Sequence, residues 1–423
     1  MHDRSVTAMS PGMKPAMNPA NATTWATRRA TTWATTWMRM GALCLMFASV
    51  CVCGAAEAAG WAVTLLEQAN NPQLDRSRLE RAYLGHAGGS ASDGVAVALD
   101  EAQFELEAAK LAITLKTEPV ASIEAARLAA QKAEKTGAPL LLVNLPATWV
   151  ASVAAAVKLP VLNIGASDDA LRERDCQANL YHLLPSERMR ADALAQALMA
   201  RRWTQVLLLA GPMPDDTQRS AVAQAAIKRY GLKVVAVKPF KLSTDPRERS
   251  LANLTLLTAN LSYDVVWVVD SDGEFARGMP YNTAQARPVV GDAGLVALAW
   301  QAQFERFGAP QVSRRFAKAA KRPMTDHDWA AWMAGKAMAA AAAAAPRGEP
   351  SGVAKALLEA NLDGSKGVAM QFRAWDRQLR QPVLLTDGQG VIATMPLEGV
   401  LHPRNTLDTL GADEAEKLCK PKA

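Results

Sequence analysis

The residues that could perform covalent chemistry are not arranged as a familiar catalytic site. The sequence contains no G-x-S-x-G nucleophile motif, no H-E-x-x-H zinc motif and no Walker A loop. Gly335-Lys336 lacks the other residues of a Walker A loop, and Gly388-Gln389-Gly390 lacks the third glycine of a dinucleotide-binding loop. The histidines that follow residue 58 are too widely spread for metal-ligand spacing: His86, His182, His327 and His402. The sequence therefore predicts neither an enzyme nor a protein with a cofactor or metal.

One acidic and aromatic cluster allows two interpretations. Asp326-His327-Asp328 could form a metal or acid–base site. Thr325 before it and Asp328 three positions later are more typical of a capped helix N-terminus, where carboxylates favour the helix dipole. Trp329 and Trp332 are one helical turn apart and could line an aromatic ligand site, but such a pair more often packs in a core. We prefer the capped helix and the core pair.

Polar and small residues follow several short apolar runs, and the elements around them alternate between strand and helix. In the first part of the chain we predict strands at 61–66, 111–115, 140–143 and 161–164, with helices at 90–110, 122–136 and 148–158. The pattern restarts with helices at 186–201 and 216–230 and strands at 205–210, 233–237 and 263–269. Asp245-Pro246 opens a further helix. This alternation predicts an α/β fold with two doubly wound parallel-sheet lobes.

The last third of the chain has a different pattern. It predicts helices at 295–307, 312–321 and 325–345 and a β-hairpin over 382–394, turning at Asp387-Gly388. These elements are a poor basis for a third domain, so we expect the chain to return to the first lobe through a hinge that it crosses more than once. The predicted organisation is 1–58 as an N-terminal leader, 59–185 as lobe 1, 186–290 as lobe 2, and 291–423 as the returning segment.

The N-terminal region has the features of a secretory signal peptide. Met38-Arg39-Met40 leads into an apolar run over 41–53, and Ala56-Glu57-Ala58 fits an A-x-A cleavage site. The apolar run is too short for a stable membrane span, although an anchor is the alternative. Met38 is a plausible true start for the chain. Arg28-Arg29 is poorly placed for a twin-arginine signal. Valine before each of two cysteines in the cleavage zone argues against a lipoprotein.

Composition and charge narrow the possible partners. The 423-residue chain is 50% hydrophobic and 21% charged, which excludes a disordered protein. Residues 1–58 carry five basic and two acidic side chains, so without them the net charge falls from +6 to +3. That value gives no reason to expect nucleic-acid binding. Cleavage would also leave only Cys176 and Cys419 of five cysteines. Export then suggests one disulfide between them, with two unpaired thiols as the alternative.

These features together resemble a family. An exported chain with two doubly wound lobes and no catalytic motif is similar to the type 1 periplasmic binding proteins that serve branched-chain amino acid ABC transporters. Four runs and the two cysteines resemble the subfamily associated with pyrroloquinoline quinone (PQQ)-dependent alcohol catabolism. The runs are Asp245–Arg249, Asp272–Arg277, Arg287–Gly291 and Arg322–Met333. The association is genomic, and does not imply that the chain binds the quinone.

The resemblance implies hinge closure on a ligand beyond the carboxyl ends of the strands. The candidate contacts in lobe 1, where the family offers backbone N–H groups and hydroxyls, are Asn144, Ala147, Thr148, Gly165, Ala166 and Ser167. The candidates in lobe 2, where the family often places acidic residues against an ammonium group, are Pro212, Asp215, Asp270, Asp272 and Asp292. The chain lacks the Ser-Ser-Thr run that follows the third strand in amino-acid binders, which argues against an amino-acid ligand.

Two functions from different classes fit this resemblance. The first is a monomeric periplasmic protein that captures a small polar molecule and delivers it to an ABC permease, its contact with the membrane. The second is a periplasmic ligand sensor that signals to a membrane receptor or dehydrogenase system and does not transport. An enzyme is a weaker third hypothesis, because the sequence offers no nucleophile or metal constellation.

Overall fold

The computed structural model describes residues 59–74 and 88–420. The predicted signal peptide, the alternative start at Met38 and His86 lie outside these residues. Within them, two parallel sheets each carry helices on both faces. The predicted α/β fold with two doubly wound lobes is confirmed. The limits predicted at 59–185, 186–290 and 291–423 stay predictions.

The first lobe is built on a five-stranded parallel sheet with the order β2-β1-β3-β4-β5. Its strands are β1 (Ala59–Gln68), β2 (Leu111–Val120), β3 (Leu141–Asn144), β4 (Val161–Asn163) and β5 (Leu180–His182). Its helices are α1 (Ser92–Glu101), α2 (Gln103–Ala108), α3 (Ile123–Lys135) and α4 (Ala147–Ala156). Successive residues of β1 enter different cores, with Leu65 on one face of the sheet and Leu66 on the other. Because both faces are covered, the inner strands β3 and β4 are buried along their whole length, whereas the edge strand β2 is partly exposed.

The second lobe repeats this design on a four-stranded parallel sheet with the order β7-β6-β8-β9. Its strands are β6 (Gln205–Ala210), β7 (Lys233–Pro239), β8 (Val265–Val269) and β9 (Val289–Gly291). Its longer helices are α5 (Glu187–Ala200) and α6 (Pro214–Arg229), and its short ones are α7 (Arg249–Ala252), α8 (Leu254–Thr258), α9 (Glu274–Arg277) and α10 (Met279–Asn282). The helix expected at Asp245-Pro246 begins as one 3-10 turn, in which the Asp245 side chain accepts the Arg247 N–H.

The remaining elements serve both lobes. They are β10 (Val296–Leu298), α11 (Ala309–Ala320), α12 (Asp326–Ala344), α13 (Pro350–Glu359), β11 (Leu362–Asp363), β12 (Ala369–Met370), β13 (Val383–Thr386) and β14 (Val391–Met395). Helix α12 packs in the core of the first lobe. The predicted hairpin is present as β13 and β14. Val383, Leu385 and Met395 of this hairpin pack in the core of the second lobe.

The prediction of a helix at 295–307 is wrong. Residues Val296–Leu298 form β10, which pairs antiparallel with β13, and the next helix begins at Ala309. The run has good helix formers, but its partner strand lies almost ninety residues later in the chain. Tertiary pairing therefore overrides local propensity.

Among the described residues, the chain passes between the lobes after β5, after β10 and after β12, and its C-terminal segment spans them once more. Hydrogen bonds hold two of these segments together, since His182 N donates to Arg377 O at 3.0 Å and Leu379 N donates to His182 O at 2.9 Å. The buried guanidinium of Arg172 donates to Gln378 Oε1 at 2.8 Å. The crossings therefore form a hydrogen-bonded, multi-segment hinge.

The predicted disulfide is also present. Cys176 and Cys419 are bonded, with a Cα–Cα distance of 5.6 Å. Cys176 follows a 3-10 turn of the first lobe, Asp169–Arg172, so the disulfide ties the end of the chain to that lobe.

Candidate ligand-binding cleft

A cavity of about 700 Å³ lies between the two lobes. Its walls come from the loops that follow β3 and β4 in the first lobe and β8 and β9 in the second, together with the first turns of α4 and α6. These loops leave the carboxyl ends of parallel strands, where doubly wound folds bind ligands. The volume is ordinary for a site that holds a small molecule.

Nine of the eleven predicted ligand contacts line this cavity. They are Asn144, Ala147, Thr148, Gly165, Ala166, Ser167, Asp215, Asp270 and Asp292. Pro212 and Asp272 follow strands of the second lobe but do not line it. Contact between any of these residues and a ligand stays a prediction.

The first-lobe wall presents the open N-terminus of α4. Pro146 precedes this helix and supplies no side-chain cap. Pro146 O accepts the N–H groups of Trp149 and Val150, whereas those of Ala147 and Thr148 bond to no described residue. The amides of Gly165 and Ala166 are already used, since both donate to Asn163 Oδ1. This wall therefore offers two backbone donors from α4.

Asn144 is the buried polar side chain of the same wall. It ends β3 and is only 8% exposed, yet its side-chain amide forms no hydrogen bond with any described residue. Gly165 packs directly against it, because a Cβ at Gly165 would lie 2.5 Å from Asn144 Oδ1. The loop after β4 thus needs glycine here to leave room for the Asn144 amide.

The second-lobe wall is organised by Arg219 on α6. Its guanidinium donates two hydrogen bonds to Asp292, at 2.6 and 3.0 Å, and one to Glu187 at 3.3 Å. Burial opposes the charge, but the carboxylates of Asp292 and Glu187 raise the pKa of Arg219 above its usual value. Asp292 also accepts the Asp270 N–H at 2.6 Å. Asp292 therefore fixes the wall through both contacts.

Asp270 also has a structural role, through a hydrogen bond to the backbone. Its Oδ2 accepts the Ala276 N–H at 2.8 Å and so holds the first turn of α9. Burial raises the pKa of Asp270 above its usual value, although this hydrogen bond lowers it.

Sequence reasoning missed the charged residues that join the two lobes. Ser167 Oγ donates to Glu187 Oε1 at 2.7 Å, and Arg190 Nη2 donates to Asp326 Oδ2 at 3.0 Å. Burial would raise the pKa of Glu187, but Arg219 and Arg190 lower it below its usual value. The only sequence signal was position, since Glu187 and Arg190 open the helix that follows the first crossing.

The cluster at 326–332 has the structural role that we preferred. Thr325 Oγ1 accepts the Asp328 N–H, and Asp328 Oδ2 accepts the Thr325 N–H, which completes a capping box. Trp329 and Trp332 are buried in the first-lobe core, 0% and 1% exposed. Asp326 and His327 nevertheless line the cleft. Among residues 59–74 and 88–420, no group of three acidic, histidine or cysteine side chains could hold a metal ion.

Within the same part of the chain, none of the helices has the length and apolar character needed to span a bilayer.

No family model and no curated protein matches the sequence. Solved structures do match the fold. An ABC transporter substrate-binding protein from Sphaerobacter thermophilus has a TM-score of 0.62 at 16% identity, covering 80% of this chain and 98% of that one. The leucine-, isoleucine-, valine-, threonine- and alanine-binding protein from Brucella ovis, in its closed conformation, has a TM-score of 0.61 at 13% identity, covering 77% and 89%.

A third similar structure was solved with a different kind of ligand. It is a solute-binding protein of an ABC transporter from Rhodopseudomonas palustris in complex with 3,4-dihydroxybenzoic acid, with a TM-score of 0.61 at 11% identity over 80% of this chain and 97% of that one. The structural neighbours are thus periplasmic binding proteins of ABC transporters, and this chain has their type 1 fold.

Proposed function

We propose that this protein is a periplasmic solute-binding protein that captures a small polar molecule between its lobes and delivers it to an ABC permease as a monomer. The observation that carries the proposal is the cavity at the carboxyl edges of both sheets, lined by polar groups from each lobe and backed by a multi-segment hinge. Closure about such a hinge would bring Asn144 and Asp215 onto one ligand. The predicted signal peptide supports export.

The link to PQQ-dependent alcohol oxidation is a finer part of this proposal. It is supported by the sequence runs of 245–249, 272–277, 287–291 and 322–333. Deletion of the gene should slow growth on alcohols as the carbon source and leave growth on a sugar unchanged. Equal growth of the deletion strain on both sources would contradict the link and leave the binding role standing.

A thermal-shift screen of the purified protein tests the binding role. Alcohols, organic acids, amines, amino acids and PQQ are each added in excess. A ligand that binds only the folded state stabilises it by mass action, by about 2.7 kcal/mol when the ligand concentration is one hundred times its Kd. The melting temperature therefore rises.

A pair of variants on α4 tells binding in the cleft from binding elsewhere. Ala147→Trp places an indole inside the cavity, whereas Ala155→Trp places one on the exposed side of the same helix. The shift should disappear in Ala147→Trp and persist in Ala155→Trp. A shift that survives in both variants, or its absence with every compound, would contradict the proposal.

A further inference from the structure

The charge of the cleft narrows the class of ligand, and this inference rests on the proposed function. The described residues that line the cavity carry six carboxylates and two guanidinium groups. The carboxylates belong to Asp168, Glu187, Asp215, Asp270, Asp292 and Asp326. The cavity therefore has a large excess of negative charge, and His327 is its only other ionisable side chain among the residues described.

Both guanidinium groups are already paired. Arg219 is held by Asp292 and Glu187. Arg190 donates to Asp326 and to Ala297 O at 2.7 Å. Neither is available for an anionic ligand unless an existing ion pair breaks.

Two carboxylates, one from each lobe, remain without a cation. Asp168 follows the β4 loop, and Asp215 lies in the first turn of α6. No described lysine or arginine forms an ion pair with either carboxylate within 4.0 Å. Neither carboxylate accepts a hydrogen bond from another described side chain. Burial raises the pKa of Asp168, and Glu187 and Asp215 add to that effect by repulsion. Asp215 is thus close enough to Asp168 to disfavour the charge of Asp168.

Arg172 offsets part of this repulsion but forms no ion pair with the Asp168 carboxylate. Its guanidinium is directed to Gln378 Oε1 and to the backbone oxygens of Ala166, Asp168 and Leu184. The positive charge of Arg172 lowers the pKa of Asp168, but burial has the larger effect and raises it. A positive group placed between the two carboxylates would remove the repulsion and attract both lobes.

An independent observation indicates that a ligand completes this site. Asn144 is 8% exposed and lines the cavity, and its side-chain amide makes no hydrogen bond to a described residue. Its oxygen can accept a hydrogen bond from an ammonium group. Apolar side chains complete the cavity: Leu194, Val222, Trp267, Val269 and Val296.

We propose that the cleft binds a small organic ammonium ion without a carboxylate, held between Asp168 and Asp215 with the Asn144 oxygen as acceptor and its hydrocarbon part against the apolar wall. A carboxylate on the ligand would add negative charge beside six carboxylates, with only the Ala147 and Thr148 N–H groups of α4, among the described residues, to bind it. An aromatic acid would meet the same excess.

Three compounds with one isobutyl body test this proposal: 3-methylbutylamine, leucine and 4-methylpentanoate. Calorimetric titration of the purified protein at neutral pH and low salt should show binding of the amine, at least tenfold weaker binding of leucine, and no binding of the acid. If leucine or the acid binds at least as tightly as the amine, this inference is overturned while the proposed binding function stands. If none of the three binds, this inference is overturned, and the thermal-shift screen decides whether the proposed function stands.

Variants locate the binding of the amine. Asp168→Asn and Asp215→Asn should each weaken it at least tenfold, because each leaves the ammonium with one carboxylate. Asp100→Asn, on the exposed end of α1 away from the cavity, is the matched control and should not change it. Equal affinities for the amine in all three variants and the unmodified protein would reject the site.

Discussion

At the scale of single residues, Asn144 and Gly165 determine whether the first-lobe wall can hold a polar group. A Cβ at Gly165 would lie 2.5 Å from Asn144 Oδ1 and 3.0 Å from Leu145 N. One of these neighbours is backbone, so the new methyl group cannot be accommodated by rotating a flexible side chain. The glycine therefore fixes the position of the Asn144 amide, which the ligand is proposed to bind.

The first prediction follows from this contact. Gly165→Ala should lower the free energy of unfolding by about 1–3 kcal/mol, the usual cost of overpacking, and should weaken ligand binding at least tenfold. Urea unfolding and titration with whichever ligand binds the unmodified protein provide the two measurements. Gly60→Ala is the control, since nothing lies within 4 Å of a Cβ there. Unchanged binding in Gly165→Ala would show that Asn144 does not need its present position.

Asp168 provides the second prediction, on pH. Burial raises the pKa of this carboxyl, so it takes up a proton at a higher pH than an ordinary aspartate. A proton removes the charge that attracts an ammonium ion. Affinity for 3-methylbutylamine should therefore fall as pH falls from 7 towards 4, while the amine itself stays charged. The other groups that act on Asp168 are Arg172, Glu187 and Asp215.

Titration calorimetry at several pH values distinguishes this effect from general acid sensitivity. Asp168→Asn should bind more weakly at pH 7 and lose less affinity on acidification than the unmodified protein. A residual dependence is expected from Asp270, whose pKa burial also raises. Parallel pH profiles for the two proteins would assign the effect to another group.

At the scale of elements, the sequence predicts strongly periodic segments well and short paired ones poorly. The helix at 122–136 is present as Ile123–Lys135, with Ser122 Oγ accepting the Ala125 N–H. The strand at 205–210 is present with the predicted limits. The three-residue strands β5 and β9 were missed, because so few residues show no period, whereas the equally short β4 was predicted from an apolar run that continues to Ile164. Strand β10 was assigned as helix, because only its distant partner β13 makes it a strand.

The packing of α12 on α1 involves a close approach that the sequence did not reveal. Two glycines allow it. A Cβ at Gly94 would lie 2.5 Å from Asp328 O, and one at Gly335 would lie 2.6 Å from the Ala98 Cβ. The alanine-rich α12 is buried on nearly all sides. Its stability therefore depends on tertiary contacts more than on helix propensity.

This packing gives the third prediction. Gly94→Ala and Gly335→Ala should each lower the free energy of unfolding by about 1–3 kcal/mol, even though alanine favours helices, because the methyl group enters an occupied interface. Gly352→Ala in α13 is the matched control, since its nearest neighbour would be 3.6 Å away. That variant should be neutral or gain up to about 1 kcal/mol. Urea unfolding of the three variants measures the difference. Equal stability in all three would mean that the helices can separate without cost.

At the scale of the whole molecule, the position of the cleft could be predicted but its charge pairing could not. Ligands bind beyond the carboxyl ends of parallel strands, and nine of the residues predicted from this rule line the cavity. The sequence did not predict Arg219 and Arg190 as cleft residues, because they lie on helix faces. Only the arrangement of the lobes brings them to Asp292 and Asp326. Those ion pairs change the chemistry of the cleft, since they occupy both of its guanidinium groups and leave neither free to bind a ligand.

The C-terminal segment joins both lobes, which is also a property of the whole molecule. Gly411 N donates to Asp192 Oδ2 at 3.0 Å, and Arg188 donates to Glu416 at 2.6 Å, so this segment is fixed to α5 of the second lobe. Eight residues after Gly411, Cys419 is bonded to Cys176 in the first lobe. The segment therefore spans the hinge as a covalently anchored strap.

The fourth prediction concerns this strap. The disulfide closes a loop with a sequence separation of 243 residues, and the chain-entropy model gives it roughly 5 kcal/mol at most. The double variant Cys176→Ser with Cys419→Ser should unfold at a lower urea concentration than the oxidised protein. Reductant should destabilise the unmodified protein and leave the double variant unchanged. The variant serves as its own control for effects of the reductant on other groups. If reduction shifts both proteins equally, or neither, the stability of the hinge region comes from the Arg188–Glu416 and Asp192–Gly411 contacts rather than from the covalent bond.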